Sequence, residues 1–98
     1  MAVFKVIDAM DAPHGGRLLR LKLIDGMAPA LSEIKGGTFD TRDPQGESRG
    51  RLRVDGFAVF GGKASSARFE KTGRISVHAF GVDNNPSEVS LKWELRGP

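Results

Sequence analysis

Apolar and polar residues alternate at every second position through much of the chain, the pattern of a β-strand with one packed face and one face in water. In one such segment Leu19 and Leu21 point one way while Arg20 and Lys22 point the other. Glycine, proline and aspartate interrupt the pattern and predict turns. Strands are predicted over Val3–Met10, Arg17–Asp25, Thr38–Arg42, Ala67–Glu70, Arg74–Ala79 and Glu88–Leu95, with a further strand region between Arg51 and Phe60.

The dipeptide Asp55-Gly56 interrupts this further region and leaves two arrangements open. As a tight turn, which Asp-Gly favours, it would join residues 51–54 and 57–60 in a hairpin. As a bulge in one long strand, it would shift the alternation by one residue and bring Phe57 inside with Leu52 and Val54. A long strand without a bulge is the least favoured case, because it would leave Phe57 outside beside the arginines.

Residues 67–70 and 74–79 are predicted to form a hairpin, with Gly73 as its left-handed turn residue. Its outer face would carry Arg68, Arg74 and His78. Residues 38–42 are expected to form a brief strand at a sheet edge. Near residues 28–34 the pattern favours a short helical turn, because Pro29 suits a first turn and the apolar residues share one face.

The last predicted strand has the cleanest alternation, because its large apolar residues all fall on one face. These residues are Val89, Leu91, Trp93 and Leu95. Trp93 is therefore expected to be a large part of the core.

Six to seven short strands in 98 residues predict an all-β fold, a small closed or partly open antiparallel β-barrel with at most one short helical turn near residues 28–34. A chain of this length can bury about two thirds of the surface that its unfolded form exposes. No repeat, low-complexity run or linker divides it, so residues 1–98 are expected to form a single domain. Closure is favoured because it removes strand edges that would recruit other chains.

Composition excludes several classes of site. The chain has no cysteine, which excludes zinc-thiolate and iron-sulfur centres and cysteine catalysis. No apolar run approaches the ~20 residues of a membrane span, and Lys5 and Asp8 interrupt the first apolar segment. We therefore expect a soluble, cytoplasmic protein.

The net charge of +3 is unevenly distributed. Residues 1–48 carry six Lys or Arg against seven Asp or Glu, whereas residues 49–98 carry nine against five. Such an excess can attract phosphate-bearing partners, although the outer positions of any barrel also need polar side chains. The candidate residues for binding nucleic acid or another anion are Arg49, Arg51, Arg53, Lys63, Arg68 and Arg74. Phe80 is expected to share the outer face of its strand with Arg74 and His78, an aromatic-basic combination used by nucleic-acid-binding barrels.

No residue set forms an enzyme signature. Phe60–Ser66 departs from a phosphate-binding P-loop, which needs glycine at the position of Phe57 and Ser or Thr at that of Ala64. The backbone amides of Gly61–Ser65 beside Lys63 would still suit an anion. The serines lack an evident base and the acids are scattered through turns. We therefore expect no catalysis, no cofactor and no metal.

Four short motifs carry a family resemblance: Phe4-Lys5-Val6, Gly15-Gly16-Arg17, Gly26, and Ile34-Lys35-Gly36-Gly37. In their order along residues 3–40 they resemble the β-barrel second domain of translational GTPases of the elongation factor Tu type. The extra segment 27–33, the lack of glycine within residues 17–23, and Gly37 in place of the family's aspartate depart from that pattern.

The resemblance implies a six-stranded barrel that contacts RNA or a partner protein. Because nothing in the chain resembles a GTPase domain, nucleotide hydrolysis is not implied. We expect a non-catalytic β-barrel binding module that binds RNA or another polyanion through its basic face. The alternative is a protein-protein interaction or structural domain whose partner the sequence does not identify.

Overall fold

A computed structural model describes residues 2–13, 15–57, 66–82 and 89–97. These residues form six strands and two short helices: β1 (Val3–Asp11), β2 (Arg17–Asp25), α1 (Leu31–Ile34), β3 (Thr38–Arg42), β4 (Ser48–Phe57), α2 (Ser66–Thr72), β5 (Arg74–Gly81) and β6 (Glu94–Arg96). Within these ranges, neither helix has the length and apolar composition that crossing a membrane requires.

The six strands form a closed barrel in the order β1-β2-β5-β4-β3-β6, and every neighbouring pair is antiparallel. The predicted all-β barrel is therefore confirmed. The predicted edge position of β3 is wrong, because β6 pairs with β3 on one side and with β1 on the other. A strand of three residues thus supplies the closure, and no described strand keeps an open edge.

The alternating residues of the strands fill the barrel as the sequence predicts. Leu19 and Leu21 are buried on β2, whereas Arg20 and Lys22 between them are exposed. The largest interior side chain, Phe4, lies 6.1 Å from Phe39 in an edge-to-face contact and 6.0 Å from Phe69 in a stacked one, measured between ring centroids. Such aromatic pairs contribute packing beyond their buried area, so they tie β1 to β3 and α2.

The Asp55-Gly56 dipeptide forms a bulge. β4 runs unbroken through both residues, and its register against β5 shifts between Val54 and Gly56. Asp55 is the extra residue of the bulge. The alternation therefore shifts by one residue, and Phe57 faces the inside of the barrel and packs against the core. The bulge interpretation is correct, and the tight-turn interpretation is wrong.

The predicted strand over residues 67–70 is wrong, because Ser66–Thr72 is helix α2. The alternation in this segment depends on a single large apolar residue, Phe69. A helix can bury one such side chain as well as a strand can, and Phe69 is buried here. Gly73 has the predicted left-handed backbone, with φ of 69°, but it ends the helix: its N–H donates to the Phe69 carbonyl at 2.7 Å. Thr72 Oγ1 also donates to the carbonyl of Arg68.

The predicted last strand is much shorter than expected. In the described chain from residue 89, only Glu94–Arg96 is strand, and Leu91 is exposed on a turn. Lys92 has a φ of 72°, a left-handed backbone that does not fit a continuous strand. The segment still joins the barrel, since the Val6 N–H donates to the Trp93 carbonyl at 2.8 Å. Trp93 is half-buried and packs against the core rather than forming its centre.

Gly16 is a glycine whose replacement we expect to be harmful. Its φ is 78°, and a Cβ there would lie 2.8 Å from the Ala79 carbonyl oxygen and 2.9 Å from His78 Nε2. Gly36 has nearly the same φ, 80°, with nothing within 4 Å of an added Cβ. We therefore predict that Gly16→Ala lowers the free energy of unfolding by roughly 1–3 kcal/mol more than Gly36→Ala, as measured by urea denaturation. Equal losses would show that the hairpin turn does not pack on β5.

Candidate functional site

The three arginines of β4 all face outward, and each has an acidic neighbour. Arg51 stands directly opposite Asp40 on β3. Arg53 Nη2 lies 3.8 Å from Asp55 Oδ1. Exposed ion pairs add little stability, but here they offset the positive charge of the strand. Arg49 has two acidic neighbours, Asp43 and Glu47.

Arg49 is held by the turn between β3 and β4. Its Nε donates to Asp43 Oδ2 at 2.9 Å, while Asp43 Oδ1 accepts the backbone N–H groups of Gln45 and Glu47, each at 3.0 Å. The bond from Arg49 is the main reason that the pKa of Asp43 lies below its ordinary value, with burial opposing it and the two backbone bonds adding to it. Arg49 therefore serves the turn as well as the surface.

Arg74 lies far from the arginines of β4. Arg53 stands opposite Phe80 on β5, whereas Arg74 begins that strand. Six residues separate Phe80 from Arg74, about 20 Å along a strand. Arg68 is exposed on α2, and the predicted candidate Lys63 lies outside the described residues. The predicted basic residues thus divide between the β4 face and the start of β5.

Register brings two further cations beside Arg74. Lys5 on β1 is paired directly with Lys22 on β2, and Lys22 is paired directly with Arg74 on β5. All three side chains are exposed. Directly opposed side chains have their Cβ atoms roughly 4.5–5.5 Å apart. We call Lys5, Lys22 and Arg74 the basic row.

The basic row has little compensation from acids. None of its three side chains forms an ion pair with any residue that the structure describes. Glu94 stands on the other side of Lys5, but its carboxylate lies 3.2 Å from Arg96 Nη2. Like charges directly opposite each other on neighbouring strands destabilise a sheet, so the row has an unfavourable interaction that a bound anion would relieve.

Helix α2 adds two cations close to the row in sequence. Arg68 and Lys71 are exposed and three residues apart, which puts them on one side of the helix. The helix leads through Gly73 into Arg74, and the Gly73 carbonyl accepts the N–H of Leu23, next to Lys22. The end of α2 is therefore fixed beside the basic row.

Sequence reasoning missed Lys5 and Lys22. The alternation of β2 indicated that Lys22 points outward, but no pattern in the sequence indicated its neighbours. Which residue of one strand lies beside which residue of the other depends on register, and register here includes a shift between Val6 and Asp8. The pairing of β2 with β5 is even harder to predict from the sequence, because the two strands are about fifty residues apart in the chain.

One step along the strands from the row, the charges are mixed. Arg20 stands opposite Asp8 on β1 and Ser76 on β5. Beyond it the outer face becomes apolar and aromatic, with Leu18 opposite His78. Among the described residues, no three His, Asp or Glu side chains come together in a way that would hold a metal ion.

The lowered pKa of Asp43 predicts a contribution to stability in the acid range. A depressed pKa means that the folded state binds the proton less tightly than the unfolded one, so the contribution is present above the unfolded value, near 3.8, and is lost as pH falls through the folded one. Asp43→Asn should therefore lose less thermal stability than the wild type between pH 5 and pH 2.

Glu47→Gln is the matched control for this comparison, because Glu47 is exposed and lies 3.8 Å from the same guanidinium. Its melting temperature should follow pH as the wild type does. If Asp43→Asn and the wild type lose equal stability over this range, Asp43 does not hold Arg49 as described.

Comparison with protein-family models, with curated proteins and with solved structures found no match to this chain.

Proposed function

We infer that the protein is a non-catalytic β-barrel binding module that binds RNA or another polyanion. The observation that carries this proposal is the basic row, three cations in direct register across β1, β2 and β5. Two of the residues predicted from the sequence, Arg74 and Arg68, belong to this side of the barrel. The proposal gives less weight to Arg49, Arg51 and Arg53, because acidic residues oppose them.

A polyanion suits the row better than a single small anion. Three cations spaced by the distance between strands offer several points of contact to a chain of phosphates. Each phosphate that they neutralise releases condensed counterions, which favours binding at low salt. Arg68 and Lys71 on α2 extend the positive field around the row and would attract such a chain from a distance.

The resemblance to the second domain of elongation factor Tu-type GTPases points in the same direction, since it implies a barrel that contacts RNA or protein. Cytoplasmic localisation also belongs to this proposal, supported by the lack of cysteine. A protein partner is the second candidate function. Two exposed apolar side chains that follow Lys22 in the sequence support this second candidate. Ile24 is 48% exposed and Met27 is 89% exposed.

Lys22 is the residue that tests the proposal best, because it lies between two other cations. Lys22→Gln removes one phosphate contact and should lower affinity for a labelled RNA oligonucleotide roughly five-fold near 0.1 M salt, and reduce the slope of log affinity against log salt by about 0.7. The same change should raise the free energy of unfolding by a few tenths of a kcal/mol, because it relieves repulsion. Fluorescence anisotropy and urea denaturation measure the two effects.

Arg51→Gln is the matched control, with the same loss of charge on an outer strand position that faces Asp40. It should change RNA affinity less than Lys22→Gln does and should slightly lower stability. RNA affinity that is indifferent to salt, or that falls equally in both variants, would contradict the proposal. A stoichiometric complex with another protein, formed without salt dependence, would favour the second candidate instead.

A further inference from the structure

Two rings lie on the outer face of β5, beyond the basic row. His78 and Phe80 are half-buried, with ring centroids 4.7 Å apart and planes inclined by 56°. The turn between β1 and β2 packs against them: His78 Nε2 donates to the Gly15 carbonyl at 2.9 Å, and a Cβ on Gly16 would lie 3.0 Å from Phe80 Cε1. The backbone of Gly15 and Gly16 therefore packs against one side of the ring pair.

On β4, the strand that borders β5 on its other side, the position beside His78 has no side chain. Gly56 on β4 stands directly opposite His78, and a Cβ built on it would meet nothing within 4 Å. The open space at Gly56 thus lies beside the position of His78 on β5, and the next outward-facing register pair along the strands is Arg53 with Phe80. We call this open space the Gly56 gap.

The gap is connected to the basic row along the strands. His78 lies four residues from Arg74, about 13 Å along β5. Between them Arg20 stands opposite Ser76, so a cation occupies the intervening position on β2. A flexible anionic chain lying over β2 and β5 would therefore meet the row, then Arg20, then the gap.

We propose that the Gly56 gap receives a nucleobase, so that the ligand of the basic row is a single-stranded nucleic acid. The inference rests on the proposed function and specifies its ligand. A base stacks on an aromatic side chain through a flat face that every base has, while its phosphates lie on cations nearby. A base in a duplex is already stacked on its neighbours, and a base-free polyanion has nothing to place in the gap.

Gly56→Val is the central variant. Its φ is outside the left-handed region and its Cβ has open space, so a β-branched residue is compatible with the strand. The isopropyl group would fill the gap and exclude a base. We expect roughly ten-fold weaker binding of a labelled oligouridylate, the effect of losing one stacked base. Binding of linear polyphosphate, which has phosphates but no bases, should be unchanged.

Phe80→Leu is the second variant, because it removes the ring and keeps apolar volume against the turn. It should also weaken oligouridylate binding and spare polyphosphate. Lys22→Gln is the contrasting variant, and it should weaken both probes. Thermal melts of all three variants check that the barrel is intact, and Gly56→Val should melt no lower than the wild type.

The two probes separate failure of this inference from failure of the proposed function. If wild-type protein binds both probes and Gly56→Val binds oligouridylate as tightly as the wild type does, no base enters the gap and polyanion binding stands. The same conclusion follows if Gly56→Val weakens both probes equally. If the wild-type protein binds neither probe at low salt, the proposed function itself is overturned.

Discussion

The barrel depends on the backbone pairing of its shortest strand. β6 has three residues, yet it pairs with β1 on one side and β3 on the other, and so closes the sheet. Closure fixes the register of the strands around the ring, because a slip by one residue would turn buried side chains outward. Phe4, Phe39 and Leu95 are fully buried and hold this register from inside. The positions of the outer side chains follow from it.

Register explains why a chain of modest net charge has one strongly basic face. Outward positions on β1, β2 and β5 bring Lys5, Lys22 and Arg74 side by side, and no described acid forms an ion pair with them, although Glu94 stands in register beside Lys5. On β3, β4 and β6 the same geometry brings arginines beside acids, as with Asp40 between Arg51 and Arg96. On β1 and β2, Asp8 and Asp11 lie beside Arg20 and Arg17, so the uncompensated charge is confined to the basic row. That charge supports a surface for an anionic ligand.

Local patterns predicted much of the fold, because alternation is a property of neighbouring residues. Leu19 and Leu21 identify the inner face of β2 without further information. Alternation fails where a segment offers only one large apolar residue. Phe69 fits a strand and a helix equally well, and in the barrel it stacks on Phe4 from helix α2. Alternation also fails at Lys92, whose left-handed backbone no pattern of hydrophobicity indicates.

The candidate site was less predictable than the fold, because it depends on which residues of different strands lie side by side. The sequence identified Arg74 as basic and outward, but its neighbour Lys22 lies 52 positions earlier in the chain. The bulge at Gly56 was one of two open alternatives, and only that alternative puts a missing side chain opposite His78. Such sites depend on register and bulges, which are settled by packing across the whole barrel.

The central claim is that an anionic ligand binds over β1, β2 and β5. The most direct test follows the backbone amide resonances of the protein by NMR during titration with an oligouridylate at low salt. Binding at this surface should give the largest chemical-shift changes around Lys5, Lys22 and Arg74, with changes extending to His78. Changes centred instead on β3 and the first half of β4, around Asp40 and Arg51, would contradict it.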